Sequence, residues 1–218
     1  MNSTTLLAVI IAGLISFTFS ATSNAQTEVT FESSRAFQQE WTRGITGKGV
    51  ANWEVVSEDS APSKHLVLRQ SGEATYCWAI RKGVSLSDGY AEVKIKPVAG
   101  KEDQAGGIVF RFQDDNNYYV VRANALEDNV VLYKTVNGKR SSLPVKGRMF
   151  GYGVDVDVPQ NEWSTLRVDF KGALFIVSFQ GKELFQVEDD TITDPGSVGV
   201  WTKADSNTLF DDFKSGRK

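Results

Sequence analysis

Residues Gly106 to Asn124 read GGIVFRFQDDNNYYVVRAN, two strand-like runs joined by Asp114-Asp115-Asn116-Asn117. Both runs are rich in β-branched and aromatic residues, and the Asp/Asn cluster between them is a turn signal. Pairing Gln113 with Tyr118 sets Arg111 opposite Val120 and Val109 opposite Arg122. Side chains alternate across a strand, so one face then carries Gln113, Arg111, Tyr118, Arg122 and Asn124. The other carries Phe112, Tyr119, Phe110, Val121, Ile108 and Ala123, which is core. A hairpin of this kind predicts an antiparallel sheet that buries one side.

The same grammar extends in both directions. Tyr90 to Lys96 alternates strictly, with Ala91, Val93 and Ile95 inward and Glu92, Lys94 and Lys96 outward, and Pro97 is read as its end. Asn137-Gly138 is a two-residue hairpin turn between Asp128–Val136 and Lys139–Leu143. Thr165–Phe170 and Leu174–Phe179 flank Lys171-Gly172; Glu183–Val187, Ser197–Lys203 and Thr208–Lys214 follow. Earlier strands are Val29–Glu32, Trp53–Ser57, Leu66–Gln70 and Tyr76–Val84, and Ser34 to Trp41 is the one short helix. All five prolines are assigned to gaps between strands, and residues 144–161 form a long excursion. The expectation is an all-β fold, a two-sheet antiparallel sandwich.

The first 25 residues contain no charged side chain, residues 6–19 are apolar or small, and Ser23-Asn24-Ala25 follows. This reads as a signal peptide, residues 1–25, ahead of a single domain, residues 26–218. The apolar run is shorter than the roughly 20 residues a spanning helix needs. The chain is expected to be exported, to the bacterial periplasm or beyond, with no membrane association after cleavage. It has 24 basic and 27 acidic residues, a net charge of −3, which argues against a nucleic-acid partner. One cysteine, Cys77, permits no internal disulfide, and one histidine excludes the usual zinc ligand sets. Cys77 reads as a small buried hydrophobe and His65 as a structural or surface residue. The glycines Gly44, Gly47 and Gly49 precede no strand–helix unit, so they are not a phosphate loop.

The polar face of the 106–124 hairpin is open to two readings. Guanidinium forks, amides and a phenol on one sheet face suit a sugar, whose C–H faces stack on aromatic rings; an ordinary solvated face carries similar residues. At these residues the chain resembles a family. Gly106 to Gln113, Asn117 to Val130, Gly199-Val-Trp-Thr-Lys-Ala-Asp205 and Phe210-Asp-Asp-Phe213 are similar to concanavalin A-like, laminin G-like jelly rolls. More narrowly they resemble secreted proteins of the 3-keto-disaccharide hydrolase domain family, over about residues 28–214. The resemblance implies a jelly-roll sandwich of the lectin and glucanase type with carbohydrate on its concave face. It implies ligand-binding roles for Arg111, Tyr118, Arg122, Asn124, Trp201 and Lys203, with Glu127, Asp128, Asn129 and Asp205 near by. Trp201 is either a stacking platform or core, and its usual burial favours core. Related jelly rolls hold a structural Ca²⁺, for which Glu32, Asp211 and Asp212 are the oxygen donors to consider.

The Glu-x-Asp-x-x-Glu strand of family 16 glycoside hydrolases is absent, as is the opening Phe-Asn-Gly signature of many 3-keto-disaccharide hydrolases. Three functions follow. The first is carbohydrate binding by a secreted jelly roll. The second is elimination–hydration of 3-keto-glycosides, with Arg111 and Arg122 polarising the ketone and Glu127, His65 or Tyr118 moving the proton. The third is a protein-binding laminin G-like module.

Overall fold

The computed structural model describes residues 27–63, 65–148 and 151–218; the expected signal peptide lies outside them. The elements are β1 (Thr27–Val29), α1 (Ser34–Glu40), β2 (Trp41–Val50), β3 (Trp53–Ser57), β4 (Leu66–Gln70), β5 (Glu73–Arg81) and β6 (Gly89–Ala99). Then come β7 (Ala105–Asp114), β8 (Asn117–Asn124), β9 (Asn129–Val136), β10 (Lys139–Ser142) and β11 (Val154–Asp155). The chain closes with β12 (Ser164–Lys171), β13 (Leu174–Phe179), β14 (Lys182–Glu188), β15 (Ser197–Ala204) and β16 (Asn207–Gly216). The first sheet has the order β14-β13-β12-β6-β16-β4-β3, with β1 added along β16. The second runs β10-β9-β8-β7-β15-β5-β2, with β11 added along β9. Every ladder is antiparallel, and the two sheets pack face to face as a jelly-roll sandwich.

Strand alternation builds the core. Ala91, Val93 and Ile95 from β6 and Val168, Phe175 and Phe210 from their neighbours face Cys77, Ile108, Phe110, Tyr119, Val121 and Val200 from the second sheet, all fully buried or nearly so. At one end Ser33 caps α1 by accepting the Ala36 N–H at 3.1 Å. That sets Phe37 and Trp41 against Phe31 and Phe213.

Three local readings are corrected. Strand β6 runs through Pro97 to Ala99 rather than stopping before it. Its partner β12 ends opposite Ile95, and the Pro97 carbonyl takes the Asn161 N–H at 2.8 Å. The missing proline donor therefore faces away from β16 and costs no ladder bond. Second, the glycine-rich segment is strand β2, paired along β5. Gly44 is required there because a Cβ would lie 2.3 Å from Trp78 Cη2, whose indole covers the glycine.

Third, the 106–124 hairpin pairs Val109 with Val120 and Gly107 with Arg122, and its register shifts between Phe110 and Asp114. Strand β7 thus carries a bulge, with Arg111 at φ 47°, and a bulge breaks the two-residue alternation of faces. Arg111 leaves the polar face for the end of the core, and Phe112 takes the outer side against Trp78 and Tyr118.

Candidate functional site

The outer face of the second sheet is paved with aromatic rings. Trp201 on β15 sits beside Gly107, which has no side chain to obstruct it. Tyr76 on β5 stacks on Trp201 with centroids 5.4 Å apart and planes at 27°. Phe112 packs against Trp78 at 4.9 Å and Tyr118 at 5.6 Å. Tyr118 is fully buried. Thr46 Oγ1 donates to the Asp115 carbonyl, so the Tyr118 hydroxyl donates to Thr46 Oγ1, at 2.9 Å. Burial pushes the Tyr118 phenol upward.

Beside the rings lies a charged network. Arg122 on β8, 1 % exposed, donates through Nη2 to Glu127 Oε2 at 2.9 Å and to Asn129 Oδ1 at 3.0 Å, with the Tyr152 hydroxyl at 3.5 Å. Its Nη1 lies 3.6 Å from Asp103 Oδ1. The buried Asp103 accepts Asn124 Nδ2 at 2.7 Å and is paired by Lys203 Nζ. Glu127 is 40 % exposed. The Arg122 hydrogen bond holds its carboxyl well below the usual range, at about 2, against a smaller opposing effect of burial, with help from Asn129. Tyr133 and Tyr152 share a hydroxyl–hydroxyl contact, and burial drives the Tyr133 phenol up. Gly153, at φ 64°, brings the excursion against β9, where a Cβ would lie 2.3 Å from the Val130 carbonyl oxygen. Tyr152 is thereby set at the edge of the sheet with 47 % of its surface exposed.

Arg140 completes the face. It pairs with Thr135 across the Asn137-Gly138 hairpin, whose residues have φ of 50° and 75° as that turn requires. Its guanidinium carbon lies 4.2 Å from the Tyr133 ring centroid, 4.8 Å from Tyr76 and 5.5 Å from Trp201. A groove of about 390 Å³ adjoins, lined among others by Lys48, Glu73, Tyr76, Glu102 and Lys203. That is within the ~300–1,000 Å³ range of small-molecule sites.

The expected site residues divide. Arg122, Lys203, Glu127 and Asn129 meet here. Tyr118 and Trp201 are on this face but sealed beneath it, so neither presents a free surface. Asn124 fixes a loop: its Oδ1 accepts the N–H groups of Leu126 at 3.0 Å and Gln104 at 3.4 Å. Asp205 does the same for Lys101, Glu102 and Asp103, and Asp128 anchors Val158 of the excursion.

Arg111 is removed from the site altogether. It is 2 % exposed and donates to the carbonyls of Ile192 (2.9 Å), Ser87 (3.1 Å) and Gly172 (2.6 Å), with its guanidinium 5.3 Å from the Phe175 ring centroid. His65 is exposed beside β4 of the other sheet. Cys77 is buried, as expected.

The three calcium donors do not form a ligand set. Both oxygens of buried Asp211 accept backbone N–H groups, from Ser63 and Asp212 at 2.8 Å each, and Asp212 pairs with Lys94 at 2.8 Å. Glu32 is exposed. Among the described residues no three His, Cys, Asp or Glu side chains cluster to hold a metal ion.

Sequence reading missed Tyr76, Asp103, Tyr133, Arg140 and Tyr152. The signal for two was present, since carrying the Asn137-Gly138 hairpin register outward puts Arg140 and Tyr133 on one face.

No protein-family model and no curated protein matches the chain. Solved structures do match. The carbohydrate-binding module CBM66 from Bacillus subtilis superposes with a TM-score of 0.61 at 18% identity, covering 80% of this chain and 94% of that one. The cellulose-induced protein Cip1 gives 0.60 at 15% identity, covering 86% and 95%. The β-glucanase of Bacillus licheniformis gives 0.51 at 12%, covering 90% and 100%. The likeness is one of fold, the concanavalin A-like sandwich of two antiparallel sheets.

Proposed function

We propose that the protein is a carbohydrate-binding jelly roll that holds its glycan on the outer face of the second sheet, between Tyr76, Lys203, Glu127 and Tyr152. The observation that carries this reading is Tyr152. Its half-exposed ring ends in a hydroxyl on the same Arg122 Nη2 that holds the Glu127 carboxylate, a group kept ionised down to about pH 2. An aromatic face for sugar C–H groups thus adjoins fixed acceptors and donors for hydroxyls. The likeness in fold to a carbohydrate-binding module supports the reading. In this reading the chain is exported on its leading apolar stretch and meets its ligand outside the cytoplasm.

Binding is favoured over turnover. A retaining glycosidase needs two carboxyl groups about 5–5.5 Å apart, one of them with a raised pKa. Here Asp103 is tied to Lys203 and Asn124, and Glu127 is pushed in the opposite direction. The proton carriers considered for a 3-keto-glycoside are scattered: Glu127 is held by Arg122, Tyr118 is buried, and His65 lies just before β4 of the other sheet.

The test is a glycan array probed with the wild-type protein and Tyr152→Ala. The wild type is expected to retain a defined set of glycans. The variant loses about 2–10-fold in affinity, the worth of one aromatic contact, with its melting temperature nearly unchanged. Undiminished binding by the variant removes Tyr152 from the site; no glycan bound by the wild type refutes the reading.

A further inference from the structure

Resting on the carbohydrate reading above, we infer that the sugar this face selects is an acidic one, whose carboxylate is taken by Arg140.

The charges of the network pair off with one cation left over. Lys203 takes Asp103, and Arg122 takes Glu127. Arg140 has no ion pair and no side-chain hydrogen bond among the described residues, and its Nη1 is shielded from solvent without an acceptor. The side chain as a whole keeps partial exposure.

Packing alone does not account for an arginine in this position. A guanidinium shielded by three rings gives up hydration, and a buried donor without an acceptor is unfavourable. Cation–π contact with Tyr76, Tyr133 and Trp201 offsets part of this. A leucine or methionine would cover the same rings without the loss. What the arginine adds is a planar fork of donors that the rings hold at a fixed site.

The Nε–Nη2 edge of that fork, which unlike Nη1 is not shielded from solvent, matches a carboxylate bidentately. The adjoining groove is balanced in charge, with Lys48 and Lys203 facing Glu73 and Glu102, so the selection rests on Arg140, and Tyr76 borders both the groove and the Arg140 guanidinium. A uronate residue docked with its carboxylate on Arg140 places its ring beside Tyr76 and leaves its hydroxyls to Lys203 and Glu127.

The experiment is isothermal titration of the full chain with polygalacturonate and alginate, and with the carboxyl-reduced form of each. Reduction turns every uronate into the matching neutral hexose and leaves the ring stereochemistry intact. The wild type is expected to bind at least one uronate polymer and to bind its reduced form about 10–100-fold more weakly, the scale of a charge-assisted contact. Arg140→Gln, which keeps the length and flat end of the side chain, is expected to bind acid and reduced forms alike. Arg140→Lys, with the charge but not the fork, falls between them. Circular dichroism of each variant verifies the fold.

Equal affinity of the wild type for acid and reduced polymers overturns the acidic-sugar assignment while leaving carbohydrate binding in place. Uronate binding that Arg140→Gln does not weaken overturns the role of Arg140. A wild type that binds neutral glycans on an array but neither uronate overturns the inference alone, and one that binds no glycan at all overturns both.

Discussion

Replacing Arg111 by methionine separates a structural arginine from a ligand-binding one. The side chain donates three hydrogen bonds at 2.6–3.1 Å to carbonyls of three different loops. Bonds from a charged donor contribute about 1.5–3 kcal/mol each. Ser87 and Gly172 lie in exposed segments, so water recovers part of what they lose, whereas Ile192 is buried. Methionine still fills the space against Phe170 and Phe175, and as a non-glycine residue at φ 47° it leaves the backbone strain as it is. The expected loss is therefore about 3–5 kcal/mol, a large share of the ~5–15 kcal/mol that holds a domain folded. Urea denaturation followed by tryptophan fluorescence measures it. With a slope of roughly 2 kcal/mol per molar, the midpoint falls by on the order of 2 M. Glycan affinity of the protein that remains folded is unchanged. A midpoint within about 0.3 M of wild type together with lost glycan binding would refute the reasoning, because Arg111 would then face the ligand.

Glu127→Gln tests the ion pair through pH. A folded-state pKa of about 2 against an ordinary 4.5 means that the pair's contribution is complete above about pH 4.5 and is lost as pH falls toward 2. The stability gap between wild type and variant therefore closes on acidification. It stays below about 1 kcal/mol at neutral pH because the carboxylate is 40 % exposed and screened by solvent; denaturant melts at about pH 6 and about pH 2 show it. Gly44→Ala drives a methyl into the Trp78 indole, and such overpacking is expected to cost about 1–3 kcal/mol with an altered near-ultraviolet dichroism of tryptophan. Cys77, buried with its thiol pushed up by desolvation, is expected to resist a disulfide reagent in native protein and to react at once in urea. Fast native labelling would contradict its placement in the core.

Much of the fold was legible because turns and alternation act locally. Asn137-Gly138 set the register that carries Arg140, and Leu174–Phe179 has the bounds read from its flanking turns. Where the reading failed, a distant contact decided the outcome. Nothing within residues 106–124 announces the bulge at Arg111. Its positive φ is held by Gln113, which bonds back to the Arg111 carbonyl and across to those of Asp194 and Pro195. Nor does Gly44 look like a strand residue until Trp78 is laid over it. The site was legible only in part for the same reason. Arg122 and Glu127 are near in sequence and were found together. Tyr76, Arg140 and Tyr152 come from separate strands and an excursion, and only the sheet order makes them neighbours.

Nitrogen–proton correlation spectra recorded through a titration with a retained glycan locate the ligand residue by residue and decide whether the outer face of the second sheet is the binding surface. The largest shifts are expected on the amides of Tyr76, Glu127, Arg140, Tyr152 and Lys203, with a smaller one on the buried Trp201 indole beneath Tyr76 and Arg140. The region of His65 and β4 on the opposite sheet is expected to stay still. Shifts gathered around His65 and β4, with those five amides unmoved, would contradict it.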